Sequence, residues 1–112
     1  MKKESELTPW DAPDKVDYDK LIREFGIKKM PKLLKEFEND ILFRRGTVFA
    51  QRDFGLILES IEQNKPFVMM TGLMPTGELH IGHLLLIKQM VFYQKLGAKV
   101  YIAVADLEAY NA

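Results

Sequence analysis

The sequence predicts an α/β fold: a βαβ unit with parallel strands, preceded by a mainly helical N-terminal extension. Three observations carry that expectation. First, Phe67-Val68-Met69-Met70 and Lys99 to Ala105 (KVYIAVA) are apolar runs without alternation, the pattern of strands buried on both faces in a parallel sheet. Second, His80 to Leu96 carries apolar residues round most of a helical circumference, so it should be largely buried, and Gly97 stops it. Third, the residues before Lys65-Pro66 space their apolar positions as helices do. A strand, a long helix and a second strand cross over right-handed with the strands parallel. The expected division is therefore an extension over residues 1–65 and a first βαβ unit of a larger domain, itself incomplete, over 66–112.

The elements follow in order. Residues 1–16 mix charge, two prolines and Trp10 without either period, so a flexible lead anchored by that tryptophan is expected. Asp17 to Gly26 reads as a short helix: acidic residues start it, Tyr18, Leu21, Ile22 and Phe25 share a face, and Gly26 caps it. A second helix is expected from Pro31 to Asn39, with Leu33, Leu34 and Phe37 on one side. Ile41 to Gln51 is rich in β-prone residues and reads as extended. Arg52 to Gln63 returns to helical spacing through Phe54, Ile57, Leu58 and Ile61. Because ligands in parallel sheets sit at the carboxyl ends of strands, Thr71 to His83 and Asp106 to Tyr110 should gather at one end. Two parallel strands cannot cover their own faces and edges, so the chain is expected to be a fragment of a larger fold or to need a partner.

Composition narrows the class. With 47% hydrophobic and 29% charged residues the chain has a globular make-up, and sixteen basic against sixteen acidic side chains leave no global field aimed at nucleic acid. There is no cysteine, which excludes disulfides, thiolate catalysis and cysteine-bound zinc. The N-terminus lacks a signal-peptide core and no run approaches the roughly 20 apolar residues of a membrane span. A cytoplasmic protein without membrane contact is expected.

The stretch with chemistry in it is Phe67 to His83, FVMMTGLMPTGELHIGH. A strand, a glycine-bearing loop and a helix start form a phosphate site, since the helix N-terminus offers free N–H donors and a positive dipole end. His80 and His83 share a helix face and can reach one phosphate chain. Imidazoles there can donate to oxygens that gain charge during attack at phosphorus. Gly82 leaves room for a flat base or ribose, Thr76 adds a hydroxyl, and Gly77 lets the loop approach closely. The opposing reading makes one histidine a core residue and the other a solvated helix start. A metal site is short of ligands, as no carboxylate or cysteine accompanies the pair. The dinucleotide-binding glycine spacing and the classical P-loop are both absent.

Pro75-Thr76-Gly77-Glu78-Leu79-His80-Ile81-Gly82-His83 resembles the HIGH signature of class I aminoacyl-tRNA synthetases. Thr8-Pro9-Trp10, Asp17 to Ile22 with Phe25-Gly26, and Phe43-Arg44-Arg45-Gly46 followed by Phe49 and Arg52-Asp53 are similar to the region before the catalytic fold in tryptophanyl-tRNA synthetases of archaeal and eukaryotic type. The resemblance implies the start of a Rossmann-like class I sheet. It implies activation of tryptophan by ATP to tryptophanyl-adenylate and pyrophosphate, with Mg²⁺ on the phosphates, and transfer to tRNA(Trp), in a complete enzyme that is a homodimer. By the same resemblance Thr76, His80 and His83 would be catalytic and, with Pro75, Gly77 and Gly82, would hold ATP. Met70, Gly72 and Glu108 would line the amino-acid pocket; the opposing reading of Glu108 is a solvated acid.

Eukaryotic relatives tend to carry tyrosine at Met70 and glutamine at Ala103, which puts specificity in question. Tyrosyl-tRNA synthetases, which share a similar Ala105 to Tyr110 stretch, are the alternative enzyme, and a non-catalytic synthetase-like module is the alternative class. The KMSKS lysines have no match: Lys28-Lys29-Met30-Pro31-Lys32 lies upstream, carries proline and reads as a solvated loop. Arg44-Arg45 reads as a surface pair, and Lys88 and Lys95 as solvent-side stems.

Overall fold

The computed structural model describes residues 17–112. The expectations for residues 1–16, Trp10 and Thr8-Pro9-Trp10 lie outside them. Among the described residues the order is α1 (Tyr18–Glu24), β1 (Lys28–Lys29), a 3₁₀ helix (Lys35–Asn39), α2 (Ile41–Arg44), β2 (Ala50–Gln51), α3 (Gly55–Glu62), β3 (Phe67–Leu73), α4 (Ile81–Lys95), β4 (Ala98–Val104) and α5 (Asp106–Asn111).

Local chemistry sets most of these boundaries. The Asp17 carboxylate accepts the Lys20 N–H at 3.0 Å and starts α1. Gly26 ends it at φ +61, with the Ile27 N–H donating to the Ile22 carbonyl at 3.2 Å. The same left-handed stop recurs at Gly46 (φ +69), Asn64 (φ 50) and Gly97 (φ +103).

Four expectations in the first half are revised. The helix foreseen from Pro31 shrinks to the 3₁₀ helix. Leu33 and Leu34 pack on the core instead of continuing a helix, and a tight turn closed by Phe37 N–H to Leu34 carbonyl at 3.0 Å drives Phe37 inward. The segment read as extended starts as α2, because the Asp40 carboxylate accepts from both Leu42 N–H (2.9 Å) and Phe43 N–H (3.3 Å); only Ala50–Gln51 is strand. The basic run is not all loop, since Lys28 and Lys29 pair antiparallel with Gln51 and Ala50, although both lysines stay exposed. Helix α3 begins later than its spacing implied, after Asp53 takes φ 58 and Gln51 Oε1 accepts the Phe54 N–H at 2.9 Å.

The second half is the expected βαβ unit: β3 and β4 pair in parallel from Phe67↔Ala98 to Leu73↔Val104. The core joins both segments. Phe37, Phe43 and Leu58 meet Phe67, Met90, Tyr93 and Ala98 in one buried cluster. Phe37, only 1% exposed, sets its ring edge-on to Phe43 at 4.8 Å and to Phe92 at 5.2 Å. Tyr93 is buried beside it, its Oη accepting from Gln89 Nε2 at 2.9 Å, and burial pushes its phenol up, with the Gln89 bond opposing and the Asp40 charge adding.

Burial of the unit is one-sided, contrary to the expectation of strands and helix buried all round. Along β3, Phe67, Met69, Thr71 and Leu73 turn inward while Val68, Met70 and Gly72 are exposed. Helix α4 buries Met90 and Tyr93 in its second half, but Ile81 at its start is 75% exposed. Among the described residues only one layer, α4 with the helical extension, lies against the sheet, and none covers its other face. Among the described residues no helix is long and apolar enough to cross a membrane.

Candidate functional site

The sheet's carboxyl end builds the site. The Ala105 N–H donates to the Leu73 carbonyl at 2.8 Å, tying the ends of β3 and β4 together past their last rungs. Beyond Leu73 the chain turns sharply about Pro75, whose fixed φ suits a three-residue turn closed by Thr76 N–H to Met74 carbonyl at 2.9 Å. Pro75, Thr76, Gly77 and Glu78 are all exposed. Gly77 has open space around it and, unlike Gly97, is not held at positive φ.

The two histidines occupy the helix start as their spacing demanded. His80 is the N-cap of α4, with extended backbone at φ −127 and ψ −176. Its Nδ1 accepts the Gly82 N–H at 3.0 Å. The His83 Nδ1 reaches back to accept the His80 N–H at 3.1 Å. The ring centroids lie 4.0 Å apart with planes inclined at 46°. A Cβ added to Gly82 would stand 2.9 Å from His80 Cε1 and 3.1 Å from Nδ1. The glycine thus makes room for the histidine ring itself, a use that the bare sequence did not indicate.

Beside the rings lies an open hollow of about 440 Å³ lined by Leu79, His80, Ile81, His83, Leu84 and Ile87. Its walls are apolar except for the imidazoles. The dipole end of a 15-residue helix lies at the imidazoles, an arrangement that can favour an anion beside an apolar surface.

Parallel register brings the other expected residues to one sheet face. Met70 pairs with Tyr101 and Gly72 with Ala103, so these four form alternate rungs that share the exposed side. Met70 is 68% exposed. Tyr101 was hidden in the sequence within a run read as buried strand; knowledge of register alone would have singled it out as the cross-strand neighbour of Met70. Glu108 is exposed in the first turn of α5, a helix where the sequence reading had no element, and follows directly on β4. Arg44, Arg45, Lys88 and Lys95 are exposed.

Comparison with known proteins adds an independent line. Residues 62–112 match the family model described as tRNA synthetases class I (W and Y). The tryptophan–tRNA ligase of Archaeoglobus fulgidus is 40% identical over 106 residues, covering 94% of this chain and 25% of that protein. The ligase of Methanocaldococcus jannaschii is 41% identical over 108 residues, covering 96% and 29%. The crystal structure of tryptophanyl-tRNA synthetase from Aeropyrum pernix superposes with a TM-score of 0.69 at 41% identity, over 84% of this chain and 27% of that one. The chain therefore spans between a quarter and a third of the length of the curated relatives it matches.

Proposed function

We propose that the chain, which in sequence and in fold is similar to the N-terminal portion of archaeal-type class I tryptophanyl-tRNA synthetases, forms the ATP-facing half of an adenylate-forming site. The observation that carries the reading is the pair His80 and His83 at the N-terminus of α4, at the carboxyl end of a parallel sheet. ATP would lie with its phosphates against His80, His83 and the dipole end of α4, reached also by Thr76, with Pro75 and Gly77 shaping the loop. The sugar would rest near Gly82 and the hollow formed by Leu79, Ile81 and Leu84. Tryptophan would lie against the exposed sheet face at Met70 and Gly72, with Glu108 near its polar atoms.

The chemistry follows from position. The carboxylate of tryptophan attacks the α-phosphorus, the bond to the β-phosphate oxygen breaks, and pyrophosphate leaves with the electron pair. Imidazole N–H groups and the helix dipole favour the charge that gathers on the phosphate oxygens, and holding both substrates removes much of the entropic barrier. Mg²⁺ would arrive on the phosphates of ATP. Among the described residues no three His, Cys, Asp or Glu side chains gather as a metal site. Transfer to tRNA(Trp), homodimerisation and a cytoplasmic location belong to the same proposal for the whole enzyme. Tyrosine as substrate is less favoured, since the relatives above are tryptophan ligases.

The test is tryptophan-dependent exchange of pyrophosphate into ATP, with tyrosine in parallel, in a protein that carries this segment at the length of its relatives. Exchange with tryptophan alone is expected, with a loss of about a hundredfold or more for the His80→Ala, His83→Ala pair. Exchange that survives the double substitution would show the site to lie elsewhere.

A further inference from the structure

We propose that His80 and His83 form a reciprocal cap that fixes both imidazoles as neutral rings protonated at Nε2, and that position 82 is glycine because the cap fills the place of its side chain. The proposal rests on the ATP reading for its use but not for its geometry. Each ring spends its Nδ1 lone pair on a backbone N–H: His80 on Gly82 at 3.0 Å, and His83 on His80 at 3.1 Å. An imidazole that accepts at Nδ1 carries its proton at Nε2, and an imidazolium has no lone pair to offer. The cap therefore exists only with neutral rings of one tautomer, and it leaves the two Nε2–H groups as the donors available to a ligand.

The physical gain is order supplied by the helix's own backbone. The ring centroids lie 4.0 Å apart at the start of α4. Two of the helix's orphan N–H groups hold the rings, so the helix start orients the very side chains that a phosphate would need. Gly82 then acts as a positioning residue: a methyl group 2.9 Å from His80 Cε1 would push the ring off its acceptor position.

The experiment is NMR on the free chain at about pH 8, where histidine is normally neutral. Scalar couplings across the hydrogen bonds are expected from the Gly82 amide nitrogen to His80 Nδ1 and from the His80 amide nitrogen to His83 Nδ1. Gly82→Ala is expected to abolish the first. His80→Asn puts an acceptor where Nδ1 stands and should keep Gly82 amide exchange slow; His80→Gln moves the acceptor outward and should speed it by roughly fivefold, as for a lost N-cap. Missing couplings in the parent chain, or couplings that persist in Gly82→Ala, would overturn the cap. Failure of ATP to bind while the couplings stay intact would count against the ATP reading alone.

Discussion

At the scale of single residues, the histidine pair was legible because everything about it is local. Spacing put His80 and His83 on one face of a helix start, and both stand there. The cofacial set of Met70, Gly72, Tyr101 and Ala103 was legible only in part, since it depends on register between strands. Tyr93 shows a different failure: it lies in the helix read as apolar round most of its circumference, and it proved a buried phenol with a hydrogen bond from Gln89. Burial raises its folded-state pKa, so its contribution is fully present below the ordinary tyrosine value of about 10 and is lost as pH climbs from there through the folded value. Tyr93→Phe should cost about 1 kcal/mol at pH near 8, where the Gln89 bond is lost. It should also flatten the fall in stability above pH about 10, and urea midpoints of the two proteins across that range measure the difference. An unchanged alkaline slope would exclude Tyr93 as its source.

Elements were predicted well where caps and period agreed and poorly where they competed. α1, α3, α4 and both long strands lie close to where spacing put them. α2 did not, because β-prone composition pointed to an extended segment while Asp40 offered two backbone N–H groups a partner. Asp40→Ala should therefore cost about 1–2 kcal/mol, at the upper end for an N-cap, and shift the urea midpoint without changing the slope. A loss within about 0.3 kcal/mol would mean that core packing of Phe43, not the cap, holds α2. Gly97 makes a converse test: at φ +103 an alanine is strained although no atom blocks its Cβ, so Gly97→Ala should destabilise by about 1 kcal/mol through backbone conformation alone, again read from the urea midpoint.

For the molecule as a whole, one cluster centred on Phe37 ties the helical extension to the sheet and α4. Truncation there should be felt throughout: Phe37→Ala is expected to cost about 3–5 kcal/mol, and thermal unfolding should remain a single transition at lower temperature. Two separate transitions would show the segments to fold apart. The sheet's two faces give a sharper contrast. Val68 is 55% exposed and Phe67 beside it 8%, so Val68→Lys should change stability by no more than about 0.5 kcal/mol while lowering self-association in sedimentation. Phe67→Lys should prevent folding. What the sequence determined by itself was the βαβ order, the capped helix ends and the histidine-bearing corner, since each is set by residues a few positions apart. Tertiary structure decided the pairing of Lys28–Lys29 with Ala50–Gln51, the sheet face left uncovered among the described residues where burial on both sides was expected, and the rungs that align Met70 with Tyr101. Those depend on which distant segments arrive to pack, and a pattern of apolar residues states the need for a partner without naming it.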